Sequence, residues 1–186
     1  MTKIAIGIDP GLKGGVSVIQ DGNLLSYGVL PTVKELSVKG RMISRPDVEK
    51  MYTMLKSIKE YCSELSEPAI AIERQVAMPG QNSVGTFNTG KGYGMILAVI
   101  YILFGRENVH IISCKDWQSE LITERTFVEK SRPKREKRKQ LKCDSIAAAK
   151  ELFKVKQLKA TKRSTADHDG IADSSLIGYY CYKHFT

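Results

Sequence analysis

The fold class this sequence predicts is α/β: a mixed five-stranded sheet, three antiparallel strands followed by two parallel ones, flanked by helices. Three observations carry the prediction. A tight-turn dipeptide, Asp21-Gly22, separates two short runs of strand character near the start. Two further apolar runs, over residues 69–72 and 109–113, are too short for helices. Between and after them, apolar residues recur with the helical period, giving the order βββ-α-β-α-β-α-α.

Taken in order, residues 3–9 read as a buried strand, because Ile4, Ile6 and Ile8 alternate with small residues and Pro10-Gly11 ends the run in a turn. Residues 16–19 form the second strand, and Asp21-Gly22 reverses the chain into a third over residues 24–30, closed by Pro31. A polar loop follows. Residues 46–65 then set Val48, Met51, Tyr52, Leu55, Ile58 and Tyr61 at helical spacing, with Ser44 as the expected cap. The run Ala69-Ile70-Ala71-Ile72 is a central strand that delivers Glu73 at its end. Residues 80–94, rich in Gly, Ser, Asn and Thr, lead into an almost uninterrupted apolar helix over 93–104. A helix apolar on all sides is buried, either in its own core or against another subunit. A fifth strand over 109–113, a short helix over 116–122, a helix over 144–153 and a last helix over 167–184 complete the chain.

At 186 residues, 42% hydrophobic and 26% charged, the composition is that of one globular domain, expected to span 1–186. No apolar run approaches the ~20 residues of a membrane span, and the N-terminus lacks signal-peptide character. A chain without either is expected to stay in the cytoplasm, or the host cytoplasm if viral. Cys62, Cys114, Cys143 and Cys181 form no C-x-x-C pair, which argues against a zinc knuckle or a disulfide framework.

The net charge of +9 is unevenly placed. Residues 130–163 hold 14 Lys and Arg against 3 Asp and Glu, a local net of +11, so the remainder is net −2. Such a concentration is the footprint of a surface that neutralises phosphates. A solvated basic loop serving solubility would carry the same charge.

Acidic residues close several of the apolar elements. Asp9 ends the first strand, Glu73 the fourth, and Asp169 and Asp173 stand four apart on one face of the last helix. Magnesium takes oxygen ligands in octahedral geometry, so carboxylates converging from several rigid elements suit it. A cation would also relieve the repulsion between Asp169 and Asp173. Each acid alone has an ordinary alternative, a turn residue at Asp9 or a helix cap at Asp167 or Asp169.

These residues carry a resemblance. Gly7-Ile8-Asp9-Pro10-Gly11 looks like the opening motif of the RuvC family of Holliday junction resolvases, and Ile72-Glu73-Arg74-Gln75-Val76 resembles its second acidic motif. His168-Asp169-Gly170-Ile171-Ala172-Asp173-Ser174 is similar to the terminal acidic helix of the bacteriophage branch. Gly90-Lys91-Gly92-Tyr93-Gly94-Met95 looks like that branch's glycine-rich approach to the dimer helix, and Trp117 sits where a tryptophan often occurs between strand and helix. The resemblance covers nearly the whole chain in the right order.

The resemblance implies an RNase H-like fold and a structure-selective endonuclease that makes paired nicks in branched DNA, leaving 5′-phosphate and 3′-hydroxyl ends. It implies two Mg2+ per site, with Mn2+ as a substitute, ~4 Å apart on the scissile phosphate. The implied ligands are Asp9, Glu73, Asp173 and one further acid. In cellular members the two helix ligands are three apart, and here that position is Gly170; Asp169 takes the role, with His168 and Asp167 as possible helpers. Lys142 best matches the family's basic position beside the phosphate. Candidate DNA contacts are Lys91, Tyr93, Arg132, Lys134, Arg135, Lys137, Arg138 and Lys139, the last six in a basic DNA-binding loop around residues 123–143, read as a mobile arm. Phe87 and Tyr93 are candidates for stacking on unpaired bases, against a core role favoured for both. Two symmetric cuts imply a homodimer, for which the 93–104 helix is the natural interface unless it is buried within the monomer. Competing readings are a nuclease of structured RNA or RNA-DNA hybrid with the same acids, and a silent junction binder.

Overall fold

The structure is a computed structural model that describes residues 2–37, 40–77, 80, 82–123 and 133–186. Its main sheet has five strands in the order β3-β2-β1-β6-β7. They are β1 (Ile4–Ile8), β2 (Gly15–Gln20), β3 (Asn23–Val29), β6 (Ala69–Glu73) and β7 (Val109–Ile112). The first three pair antiparallel, and β6 and β7 run parallel to β1, as the sequence predicts. The hairpin between β2 and β3 turns at Asp21 and Gly22, both in the left-handed region at φ 48° and 79°, which two-residue hairpins of this twist require.

Strand alternation sorts the core into two layers. Ile4, Ile6, Ile8, Ile70 and Ile72 face one side, where they pack against Met51 and Leu55 of α1 (Val48–Ser63) and Ile96, Val99, Ile100, Leu103 and Phe104 of α2 (Ser83–Phe104). Ala5 and Ala71 face the other side, against Trp117 of α3 (Cys114–Leu121), Ala149 of α4 (Lys134–Phe153) and Ile171, Ala172, Leu176 and Ile177 of α5 (Asp169–Phe185). The small residues on that face let α5 lie very close to the sheet. A Cβ on Gly7 would come within 2.1 Å of the Gly178 nitrogen, and the Ser17 hydroxyl donates to the Ser174 carbonyl at 2.7 Å across the same contact.

Several boundaries differ from the sequence reading. The polar loop after β3 contains a hairpin of β4 (Thr32–Leu36), exposed throughout, and β5 (Met42–Pro46), partly buried, tied by an Arg45–Glu35 ion pair at 2.9 Å. Ser44 lies in β5, and the cap of α1 is Asp47, whose carboxylate accepts from the Lys50 amide at 3.1 Å.

Helix α2 begins at Ser83, ten residues before the apolar run, with the Asn82 side chain accepting from the Gly85 amide at 2.7 Å. Four glycines in its first twelve residues, each costing ~1 kcal/mol against alanine, hide this half from propensity reasoning. At 22 residues α2 is long and apolar enough, by length and composition, to cross a membrane, where the sequence reading saw no such run. Here one face of it fills the core described above.

Helix α4 also starts ten residues early, at Lys134, so the segment read as a mobile arm is helical from there on. Lys, Arg, Glu and Gln are good helix formers, but without apolar residues they show no period. Residues 124–132 of the expected basic loop, Arg132 among them, lie outside the described residues.

Candidate active site

The strand alternation that faces Ile6 and Ile8 toward α2 turns Asp9 and Glu73 the other way, toward α5. Asp9 directly follows β1 and Glu73 ends β6. Ile8 pairs with Ile72 in the parallel register, so the two acids stand at neighbouring strand ends, whose spacing is ~4.8 Å. Asp9 is fixed through its backbone, whose amide donates to the Gly15 carbonyl at 3.0 Å, and its Oδ1 accepts from the Gly11 amide at 3.3 Å. Glu73 is fixed by the fully buried Trp117, whose indole Nε1–H donates to Oε2 at 3.0 Å. The tryptophan thus links the end of β6 to α3.

The first turns of α5 bring the other two acids to the same edge. Asp169 is its first residue, and Asp173 follows one turn later. Gly170, where the cellular family spacing would put an acid, has no room for one: a Cβ there would lie 2.1 Å from the Lys13 carbonyl oxygen and 2.9 Å from the Gly14 Cα. The close seat of α5 on the β1–β2 turn therefore excludes a side chain at 170, while 169 remains open. Asp169 binds Lys142 of α4 in an ion pair.

Asp167 is engaged elsewhere, accepting from the Leu158 amide at 2.7 Å and from Lys150 Nζ at 2.9 Å. These bonds, with the Lys150 charge, outweigh burial and lower its pKa. His168 stands at the N-cap position without a side-chain cap bond, and its Nδ1 is buried without a partner.

Electrostatics tie the four acids into one cluster. Burial, then the charge of Glu73, raises the Asp9 pKa to about 7, against a partial offset from the Gly11 amide. Burial, then the charge of Asp9, raises Asp173 to about 8, although Ser145 hydrogen-bonds its carboxylate. Burial also raises Glu73, opposed by the Trp117 bond. At Asp169 burial acts upward, but the bond and charge of Lys142 outweigh it, so its pKa falls. Lys142 is raised in turn by Asp169, with Asp173 and Asp9 adding to the effect.

The arrangement fits a hard divalent cation. Its donors are all carboxylate oxygens, burial and mutual repulsion raise the pKa values of Asp9 and Asp173 in a way that a cation would relieve, and Asp173 Oδ1 is buried without a partner. Among the described residues no three His, Cys, Asp or Glu side chains close around a common point as a finished cage would. The acids converge while Lys142 occupies Asp169.

The candidate nucleic-acid contacts divide between two flanks. On the α4 side Arg135, Arg138 and Lys139 are exposed and Lys137 is half-buried, and the helix continues to Lys142 and the acids. Lys134 is the first residue of that helix. On the α2 side Lys91 is exposed, and Tyr93 is partly buried against the core. Phe87 is 71% exposed, so the core role favoured for it does not hold. The cleft between α2 and the β4–β5 hairpin, described below, had no counterpart in the sequence reading; the hairpin was masked by its polar, solvent-facing strands.

The sheet order, with α1 and α2 on one face and α3, α4 and α5 on the other, is an α/β arrangement of the RNase H-like fold. Among solved structures the chain shares this fold with T. thermophilus RuvC in complex with a Holliday junction substrate, at TM-score 0.52 and 14% identity, over 96% of this chain and 91% of that one. A second structure of Thermus thermophilus RuvC aligns over 95% and 92% of the two chains, also at 14% identity, with a TM-score of 0.43. No protein-family model and no curated protein matches the sequence.

Proposed function

We propose that this protein is a magnesium-dependent, structure-selective DNA endonuclease that resolves four-way junctions by paired nicks. The observation that carries the reading is the convergence of Asp9, Glu73, Asp169 and Asp173, coupled to Lys142, at one edge of a sheet shared in fold with RuvC. Those four acids are the residues that would hold two Mg2+ ions, or Mn2+ in their place. Bound there, the ions would activate a water for in-line attack on phosphorus and stabilise the leaving 3′ oxygen.

The chain's own groups do the rest. Lys142 neutralises charge on the phosphate when it exchanges Asp169 for substrate. Trp117 holds the Glu73 carboxylate in one orientation. Arg135, Arg138, Lys139 and Lys91 bind phosphates to either side, aided by Arg132, Lys134 and Lys137.

A twofold pair of such sites makes symmetric cuts, and the outer face of α2 suits a homodimer contact. Val84, Phe87 and Ile102 are exposed along it at helical spacing, at 68%, 71% and 75%. The proposal takes residues 1–186 as a single nuclease domain working in the cytoplasm.

The test incubates the protein with labelled four-way junction, linear duplex and RNA-DNA hybrid, with magnesium or with EDTA. Paired, ligatable nicks on the junction alone support the proposal. Cutting of hybrid alone overturns the substrate, and junction binding without cutting overturns the enzyme. A second expectation concerns α4. Replacing Arg135, Arg138 and Lys139 with alanine should reduce the slope of log affinity against log salt by up to ~3, at ~0.9 for each phosphate contact. An unchanged slope, read by fluorescence anisotropy, would remove α4 from the DNA interface.

A further inference from the structure

On the α2 side of the acids, the β1–β2 turn, the β4–β5 hairpin and the middle of α2 enclose a cleft of about 540 Å3. That is within the ~300–1,000 Å3 of pockets that take small ligands. Its position follows from the chain. Pro10 and Gly11 of its wall directly follow Asp9, and Gln75 lies two residues beyond Glu73. The cleft therefore opens beside the acids, where a nucleotide whose phosphate is held there could place its base.

The lining is that of a base slot. Pro10, Pro46 and Met95 give flat or pliable apolar walls, while Gln75 and Asn88 bring side-chain amides that, among the described residues, no partner engages. Amides of this kind pair bidentately with base edges. Tyr93 lines the same cleft, and its hydroxyl is buried without a partner.

We infer that this cleft is a nucleobase subsite: it takes one unstacked base of the nucleotide next to the scissile phosphate, read by the Gln75 and Asn88 amides and met by Tyr93. The inference rests on the nuclease reading above and adds a base dependence to it. The β4–β5 hairpin, which the sequence presents as a polar loop, forms the outer wall of the slot through Ile43, Ser44, Arg45 and Pro46. A base held in a duplex stack cannot enter an enclosed cleft, so the slot favours bases next to a branch point, where pairing and stacking are interrupted.

The test measures binding, so that it does not depend on cutting. Fluorescent four-way junctions with an abasic site at each nucleotide around the branch point are titrated with Asp9→Asn protein and with the same protein carrying Gln75→Ala and Asn88→Ala. At one position the missing base should weaken binding roughly tenfold with the slot intact and less than about twofold with the amides removed. Asn88 is exposed, so Asn88→Ala alone provides a variant that keeps the fold should the double change disturb it. Equal losses in both proteins, or no loss at any position, overturn the inference. If the coupling is present but wild type cuts no junction, the subsite stands and the resolvase reading falls. If wild type cuts junctions without such coupling, the reverse holds, and absence of all DNA binding removes both.

Discussion

Asp9→Asn is expected to lower the rate of junction cutting by on the order of 10³-fold while leaving junction binding nearly intact. Asp9 lies at the centre of the cluster, feeling the charges of Glu73, Asp169 and Lys142 and imposing its own on Asp173. The asparagine keeps the size of the side chain and the oxygen that accepts from the Gly11 amide, so the fold has no reason to change. What it loses is the negative charge that a cation needs. The matched comparison is Asp167→Asn, two residues from Asp169 but bound to Leu158 and Lys150. That change should cost stability, ~1–3 kcal/mol, with little effect on the chemistry. Single-turnover cutting of labelled junction, with urea unfolding of both variants, separates the two. Wild-type cutting by Asp9→Asn would end the assignment of the site.

The second large effect is on stability, in EDTA. An aspartate ionises near 3.8, whereas folded Asp9 and Asp173 hold their protons up to about 7 and about 8. Between those limits the folded chain binds more protons than the unfolded one, so unfolding becomes easier as pH rises. Sign and window follow: the stability is fully present below about pH 4, declines up to about pH 8, and is level above it. Asp173→Asn removes one of the two penalties and should stabilise the cation-free protein by on the order of 3 kcal/mol near pH 8, with little gain near pH 4. Magnesium should raise the unfolding midpoint of wild type near pH 8 and do so far less for the variant. A gain that is the same at both pH values, measured by urea titration, would show that the acids are not held as the structure describes.

Much of the site was legible because it depends on strand ends. Alternation in Ile4-Ala5-Ile6-Gly7-Ile8 and Ala69-Ile70-Ala71-Ile72 fixes which way Asp9 and Glu73 face, since a strand side chain has only two directions. The four-residue spacing of Asp169 and Asp173 likewise puts both on one side of any helix. Asp21-Gly22 specified its hairpin for a similarly local reason, a backbone twist that those two residues adopt at low cost.

Elements without apolar period were not legible. The first halves of α2 and α4, one rich in glycine and one in Lys and Arg, are helices whose local signals run weakly or in no direction. The β4–β5 hairpin packs too little of itself for its strands to show a buried face. Phe87 looked like a core residue by type, and only the direction of α2 turns it to solvent.

The sequence by itself therefore determined the sheet, its order of pairing directions, and which acids stand at strand ends or share a helix face, because these are set by neighbours within a few residues. Tertiary structure alone decided that α5 sits close enough for Gly170 to exclude a side chain, that Lys142 meets Asp169 while Asp167 is tied to Lys150, and that a cleft opens beside Asp9. Those outcomes depend on distances between segments far apart in the chain, and such distances follow from how the layers pack rather than from any local pattern.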